Sequence, residues 1–142
     1  MKPEETIDFH IRWLWAKIAK RYNAEAAKSG GTMSIGYVLL NIDQKNGSPS
    51  TSLGPAMGME ATSLTRLLNR MEDLELITRE KDKLDGRMVR VFLTDKGKTM
   101  RLKSRESVLK LNQEIQKALT NEELTAFYQV MNKINTVLDS NR

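Results

Sequence analysis

Cysteine and histidine, which carry much of the redox, metal and nucleophilic chemistry of proteins, are nearly missing from this chain of 142 residues. It has no cysteine and one histidine, His10, so a metal cluster with imidazole and thiolate ligands cannot be assembled within one chain. A Cys-His nucleophilic pair is excluded for the same reason. No apolar run approaches the length of about 18 residues that a membrane-spanning helix requires. With 39% hydrophobic residues, the composition suits one domain with a buried core.

Other signs of catalysis are equally scarce. The sequence contains no glycine-rich phosphate-binding loop followed by Lys and Ser or Thr. The adjacent carboxylates Glu122 and Glu123 fall where a helix is predicted to begin, which favours a capping role over proton transfer. We therefore expect no enzyme activity, no catalytic residue, no bound metal and no other cofactor.

The start of the chain does not resemble a secretion signal. Charged side chains interrupt MKPEETIDFHIRWLWAKIAKR, and no small-residue cleavage site follows it. The lack of cysteine agrees with a reducing compartment. The sequence therefore predicts a soluble cytoplasmic protein with no membrane partner.

The positive charge of the chain is unevenly distributed. Its net charge is +5, and residues 53–105 carry twelve Lys and Arg against eight Asp and Glu. Residues 1–52 carry seven against five, and residues 106–142 carry four against five. A basic middle segment suits a polyanionic partner, while an excess of this size is also compatible with an ordinary solvated surface.

A strongly two-faced helix is predicted over residues 62–76 (TSLTRLLNRMEDLEL). At about 100° per residue, its apolar face comprises Ala61, Leu64, Leu67, Leu68, Met71 and Leu74. The opposite face comprises Thr62, Arg66, Asn69, Arg70 and Asp73, with Ser63 and Thr65 at its margins. Hydroxyl, amide and guanidinium groups arranged in this way can contact base edges and phosphates in a DNA major groove.

Two short strands are predicted after this helix, over residues 77–81 and 88–93. The turn between them contains Asp85-Gly86, a turn signal because both residues tolerate positive φ. Arg87 is therefore expected near an exposed hairpin tip, where its cation could enter a minor groove beside the helix. By itself such an arginine is an ordinary solvated residue, and the preceding helix is what favours the DNA-binding interpretation.

Several motifs in this region resemble those of one family. Asp85-x-Arg87, followed after five residues by Leu93-Thr94-x-x-Gly97, is similar to the wing signature of the MarR (multiple antibiotic resistance regulator) family. Residues 53–59 (LGPAMGM) resemble the first helix of its helix-turn-helix, residues 62–66 the opening of its recognition helix, and residues 76–79 the exit into the wing. The resemblance covers nearly the whole chain.

The resemblance implies a mainly α (α+β) fold, with a winged helix-turn-helix lobe and a two-stranded wing. It implies one domain over residues 1–142, in which residues 33–94 form the winged lobe and residues 1–29 and 95–142 form dimerisation helices. It further implies a homodimer on a palindromic operator of double-stranded DNA, with repression or sometimes activation that a small ligand often relieves. The alternative is a winged-helix protein-protein interaction module without sequence-specific DNA binding, since a fold alone does not fix a function.

The same framework assigns roles to individual residues. We expect Arg66 to contact a base, and Thr62, Ser63 and Thr65 to contact bases or phosphates. Asn69, Arg70 and Arg90 are expected to contact the DNA backbone, and Arg87 the minor groove. Asp85 is expected to organise the wing by pairing with Arg87 or Arg79.

Two residues depart from the family pattern. Glu75 stands where a glycine commonly closes the recognition helix, so either Glu75 adopts a strained φ or the helix ends in another way. Pro55 lies inside a short helix, and it falls near the first turn if Ser50 or Thr51 is the N-cap.

The flanking segments predict further helices. Residues 5–29 carry apolar stripes on two opposite sides, which suggests packing on the chain's own core and on a partner chain. Ser34 is expected to cap the next helix, and residues 46–50 to form a loop. Thr94 is expected to cap a long helix that ends near Leu119, and residues 120–123 to form a capping box for the last helix.

A ligand site is suggested only by aromatic and titratable residues near the expected cleft between the dimerisation helices and the winged lobe. The candidates are His10, Trp13 and Tyr37, and they would suit a small aromatic or phenolic effector. The alternative is that these rings pack in the core or in an interface, as rings at helical spacing more often do.

Overall fold

The computed structural model describes residues 1–140, so positions 141–142 of the predicted domain lie outside the described residues. After a short 3₁₀ turn at Pro3–Glu5, the elements are α1 (Ile7–Ala27), α2 (Met33–Asn41), β1 (Ser48–Pro49), α3 (Ser50–Met57), α4 (Ala61–Asp73), β2 (Ile77–Lys81), β3 (Val89–Leu93), α5 (Asp95–Lys117) and α6 (Asn121–Ser140). The chain divides into two compact units, residues 1–107 and residues 108–142. None of the helices described between residues 1 and 140 combines the length and apolar character needed to cross a bilayer.

The sheet has three antiparallel strands in the order β1-β3-β2. The predicted hairpin is confirmed, with Ile77 opposite Leu93 and Lys81 opposite Val89. The prediction of a plain loop at residues 46–50 is wrong, because Ser48 pairs with Val91 and adds a strand to the two-stranded wing. A Cβ at Gly47 would lie 2.7 Å from the Val91 carbonyl oxygen, so only glycine allows this approach.

The core of the first unit lies between α2, α3, α4 and the sheet. Its buried members are Ile35, Val38, Leu39, Ile42, Leu53, Leu64, Leu68, Met71, Leu76, Ile77 and Val91. The apolar face predicted for α4 is therefore confirmed, with Leu67 and Leu74 partly buried against this cluster and Ala61 exposed at the start of the helix.

The end of α4 is a Schellman motif built without glycine. Glu75 adopts a φ of 61°, the strained conformation that the sequence allowed for. The Leu76 N–H donates to the Met71 carbonyl at 2.9 Å, and the Glu75 N–H donates to the Glu72 carbonyl at 2.9 Å. The Thr94 hydroxyl donates to the Glu75 carbonyl at 2.6 Å, and Lys96 Nζ donates to the Leu74 carbonyl at 2.8 Å. Contacts from the start of α5 therefore satisfy carbonyl groups that the helix end leaves free.

The caps of the other helices match the sequence only in part. Thr94 accepts from the Gly97 N–H at 3.0 Å, and Thr120 accepts from the Glu123 N–H at 3.1 Å, so both predicted caps are confirmed. The prediction of Ser34 as a cap is wrong, because Thr32 is the N-cap of α2 and accepts from the Ile35 N–H at 3.2 Å.

The start of α3 also differs from the prediction. Pro49 is its N-cap, not Ser50 or Thr51, which places Pro55 in the second turn of the helix. A proline there removes one intrahelical donor, a loss tolerated more readily in a helix of eight residues than in a long one.

Helix α1 contacts the rest of the first unit mainly near its C-terminal half. Tyr22 is buried, and the Tyr22 and Tyr37 rings meet edge to face with centroids 6.2 Å apart. The Met33 N–H donates to Asn23 Oδ1 at 2.9 Å and joins the two helices beyond that point. Apolar side chains in the first half of α1 are exposed on both sides, as at Trp13 (54%) and Leu14 (58%). Within one chain, both apolar stripes predicted for residues 5–29 are therefore largely exposed in the first half of α1.

Candidate nucleic-acid interface

The outward face of α4 is polar and accessible. The six side chains predicted to contact DNA are all exposed: Thr62, Ser63, Thr65, Arg66, Asn69 and Arg70. Thr65 donates its hydroxyl hydrogen to the Ala61 carbonyl at 2.9 Å, which leaves its oxygen as an acceptor for a base amino group.

Two cations on this face have no partner inside the protein. Arg66 and Arg70 make no hydrogen bond or ion pair among the described residues 1–140 and are one helical turn apart. Together with Thr62 they form a row about 12 Å long, at 1.5 Å per residue along the helix axis. Their guanidinium donors are available for phosphates and for the acceptor edge of guanine.

A side-chain brace connects α4 to β2. Arg79 Nε donates to Glu72 Oε2 at 3.0 Å, and Arg79 Nη2 donates to Asn69 Oδ1 at 2.6 Å. The Arg79 hydrogen bond holds the pKa of the Glu72 carboxyl below its ordinary value. Because the Asn69 oxygen is occupied, only its amide N–H₂ group remains free to donate to a phosphate.

This brace was not predicted from the sequence. The prediction was that Asp85 pairs with Arg87 or Arg79, whereas the ion pair of Arg79 is with Glu72. The feature of the sequence that could have predicted the brace is a carboxylate on the last turn of α4, Glu72, followed by a cation on the next strand, Arg79. Only the tight Schellman turn between them shows that the two side chains meet.

The turn of the wing is organised by Asp82. The backbone N–H groups of Leu84 and Asp85 donate to Asp82 Oδ1 at 2.8 and 3.1 Å, and Arg90 Nε donates to Asp82 Oδ2 at 2.9 Å. The Arg90 hydrogen bond, followed by the two backbone hydrogen bonds, lowers the pKa of Asp82 below its ordinary value. Gly86 is not among the residues with positive φ, so the turn depends on side-chain acceptors and not on the backbone freedom expected of Asp-Gly.

The structure corrects the roles of Arg90 and Asp85. Arg90 is engaged within the wing and not free on its surface, because its Nη1 donates to the carbonyls of Asn46 and Gly47 at 3.2 Å each while its Nε is bound to Asp82. Asp85 Oδ1 accepts from the Arg87 backbone N–H at 3.0 Å, and no ion pair joins Asp85 to Arg79 or to the Arg87 guanidinium among the described residues. Arg90 and Asp82 thus supply the side-chain bridge of the wing that was expected from Asp85.

Arg87 lies at the tip as expected. Its side chain is exposed and has no partner in the described part of the chain. The brace at Arg79 and the bridge at Arg90 fix the hairpin against α4 and against the 46–47 loop, so the tip cation is held on a rigid support. This geometry can present a helix to one groove of a duplex and a cation to the neighbouring groove.

The predicted ligand residues do not converge. His10 and Trp13 each contact the Phe9 ring, with centroid distances of 5.4 and 6.0 Å. Tyr37 instead stacks on Trp15, with centroids 6.3 Å apart, and also contacts Tyr22. Trp13 and Trp15 are about 200° apart around the helix, so the two aromatic groups lie on opposite sides of α1. Within one chain, the predicted residues His10, Trp13 and Tyr37 therefore do not line one pocket.

The three-stranded sheet, the polar-faced helix and the charged hairpin tip define the class of winged helix-turn-helix proteins. Residues 32–89, which contain almost the whole of this lobe, match the profile of the MarR family. The resemblance to the MarR family inferred from the sequence is therefore confirmed over this lobe.

One known regulator is similar to part of this chain in sequence. The chain is 35% identical over 64 residues to the HTH-type transcriptional regulator TtmR of Methylorubrum extorquens (strain PA1), a match over 45% of this chain and 33% of that protein. The matched segment thus spans about a third of that relative.

Two solved structures are similar over nearly the full length of the chain. The DNA complex of MepR from S. aureus has a TM-score of 0.87 at 19% identity and covers 93% of this chain and 98% of that one. CouR from Rhodococcus jostii RHA1 bound to p-coumaroyl-CoA has a TM-score of 0.79 at 15% identity, with 94% of each chain covered. The mainly helical fold with a winged lobe is therefore confirmed.

Proposed function

We propose that this protein is a sequence-specific DNA-binding transcriptional regulator that acts as a homodimer and has no enzymatic activity. The observation that carries the proposal is the exposed polar face of α4, with two unpaired guanidinium groups, braced to a hairpin whose tip bears a third. A protein-binding face would be expected to expose apolar anchors in place of Thr, Arg and Asn.

In this mechanism the N-terminal half of α4 enters a major groove and Arg87 enters the adjacent minor groove. Two copies related by a two-fold axis would place their helices in successive major grooves about 34 Å apart. The operator would then be a palindrome, because each half-site meets the same surface. Bound DNA would be denied to the transcription machinery, which makes repression the expected outcome.

Release by a small aromatic or phenolic ligand is part of the proposal. The CouR structure, with p-coumaroyl-CoA bound, supports a ligand of this chemistry for the fold. In this chain the aromatic group to test is the stacked pair of Trp15 and Tyr37, since half-exposed Trp15 would report binding. Titration with aromatic acids should quench tryptophan fluorescence in the wild type and less so in Trp15→Phe. An unchanged signal across a panel of such acids would count against this class of effector.

The decisive experiment is selection of bound duplexes from sheared genomic DNA of the source organism by the purified protein, repeated across a salt series. We expect enrichment of a palindrome with half-sites about one helical turn apart, and an affinity that falls steeply as salt rises. Binding that ignores sequence at every salt concentration would contradict the proposal and favour the protein-interaction module. The cytoplasmic location follows from the function and would be checked by cell fractionation.

A further inference from the structure

The tip of the wing carries a fully exposed aliphatic side chain, Leu84. Its exposure is 100%, and among the large hydrophobic residues described between 1 and 140 only Met1 is as exposed. A single exposed leucine is common on protein surfaces and carries no argument alone. The placement of Leu84 does carry an argument, because it lies on a turn that hydrogen bonds hold in place and that carries several cations.

The backbone that presents Leu84 is fixed. Its N–H donates to Asp82 Oδ1 at 2.8 Å, while Asp82 Oδ2 accepts from Arg90 Nε at 2.9 Å. The Asp82 side chain is 11% exposed and the Arg90 side chain 28% exposed, so this bridge is partly shielded from water. Leu84 is therefore an apolar group whose position is set by the strand behind it and not by a mobile loop.

The turn around Leu84 carries more cations than anions. Lys81, Lys83 and Arg87 are exposed there, the charge of Asp82 is balanced by Arg90, and the one remaining carboxylate of the turn, Asp85, accepts a hydrogen bond from the Arg87 backbone N–H. A rigid tip that combines one aliphatic group with several cations complements a groove with phosphate walls and an apolar floor of sugars and base stacks. Because Arg79 ties the same hairpin to α4, the tip is held in a fixed position relative to that helix.

Resting on the DNA-binding function proposed above, we propose that Leu84 inserts into the minor groove beside Arg87 and makes affinity depend on how easily the base step there deforms. Apolar side chains in the minor groove partly unstack the step they touch. Pyrimidine-purine steps such as TA yield most easily, and A-tracts resist. Leu84 thus gives selectivity at flanking positions that no hydrogen bond reads.

The test uses the selected palindrome in duplexes that differ only in the flanking step, with TA or AA at each position that the wing can reach. Wild-type protein should prefer the best TA duplex by about tenfold, on the scale of partial burial of one leucine. Leu84→Ala should reduce that preference to within about twofold, while Leu84→Met, which keeps an apolar wedge, should retain it. Val89→Ala removes another exposed aliphatic group of the same hairpin, away from its tip, and should leave the preference intact.

The salt dependence separates this contact from those of the cations. Leu84→Ala should leave the slope of affinity against salt unchanged, whereas Arg87→Ala should reduce it by about one. Leu84 makes no side-chain contact in the fold, so circular dichroism should show an unaltered melting temperature in Leu84→Ala.

An unchanged step preference in Leu84→Ala would overturn the proposal, and so would an equal loss on TA and AA duplexes. Either result would leave the regulator function standing, because the wild type would still select its palindrome. Failure of the wild type to select any palindrome would overturn both.

Discussion

The winged lobe and the terminal helices of this protein differ in how they treat apolar side chains. Core residues of the lobe, such as Leu39 and Met71, are fully buried. Apolar residues of α1 and α6 remain exposed in the single chain, as at Ile7 (65%) and Leu138 (62%). The lobe closes its core within one chain, whereas the terminal helices leave a surface that a second chain is expected to cover.

This difference indicates that the lobe and the terminal helices have different structural roles. The lobe needs a rigid frame to hold α4 and the wing at a fixed angle, and its brace and bridge provide that frame. In the proposed homodimer, the terminal helices would set the distance between two such lobes. Substitutions in the lobe should therefore change stability or DNA binding, whereas substitutions in the terminal helices should change dimer assembly.

The largest expected effect is on the folding of the lobe. Met71→Ala removes a side chain that is 0% exposed and should cost about 2–5 kcal/mol of unfolding free energy in urea. Leu84→Ala, at a fully exposed site, should stay within about 0.5 kcal/mol of wild type. Similar values for the two variants would contradict the view that the lobe holds the stability of the chain.

The next effect is on assembly. Leu14→Glu places a charge on an exposed apolar stripe of α1 and should weaken the dimer by about 100-fold or more in sedimentation velocity, because the charge would be buried against the partner. Leu14→Met conserves volume and apolar character and should remain dimeric. A dimer that survives Leu14→Glu would show that this stripe is not the interface.

A smaller effect should separate two cations of the lobe. Arg66→Ala should lose about 1–3 kcal/mol on the operator alone and relax sequence preference, while Arg70→Ala should weaken all duplexes alike and lower the salt slope by about one. Neither side chain has a partner in the described residues, so folding should be unaffected. Competition binding with operator and scrambled duplexes measures both, and identical behaviour of the two variants would refute these roles.

The smallest effect concerns the wing bridge and its pH dependence. Because the pKa of Asp82 is lowered in the folded protein, its bridge stabilises above the unfolded value near 3.8 and is lost as pH falls through the lower folded value. Asp82→Asn should therefore be less stable than wild type at neutral pH, with the difference shrinking in acid. The free energy of unfolding in urea, measured at neutral pH and in acid, tests this, with Asp73→Asn as a control at an exposed helix position. A stability difference between wild type and Asp82→Asn that grows in acid would contradict a stabilising role of the Asp82–Arg90 bridge.

Much of the lobe could be predicted from sequence because its signals are local. The apolar spacing of α4, the β-branched runs of the hairpin and the caps at Thr94 and Thr120 each depend on residues within a few positions of one another. The exposed polar face of α4 follows from the same periodicity. Even the strained Glu75 could be anticipated, since a helix that ends in a tight turn needs a left-handed residue there.

The features that could not be predicted from the sequence depend on contacts between distant segments of the chain. Strand β1 forms only because Ser48 pairs with Val91. Arg90 was expected to contact DNA, but it donates a hydrogen bond within the protein because the 46–47 loop lies against it. Glu80 is the residue directly opposite Arg90 in the ladder, yet the ion pair goes to Asp82 on the diagonal. No pattern of charges along the chain distinguishes these options.

The sequence by itself determined the two-faced helix α4 and the cationic hairpin, because periodicity and turn chemistry are properties of neighbouring residues. Tertiary structure alone decided which cations stay free. Arg66, Arg70 and Arg87 have no partner among the described residues, whereas Arg79 and Arg90 are used to hold the wing. The physical reason is that a guanidinium binds whichever acceptor the fold brings within about 3 Å, and that distance is set by packing and not by position in the chain.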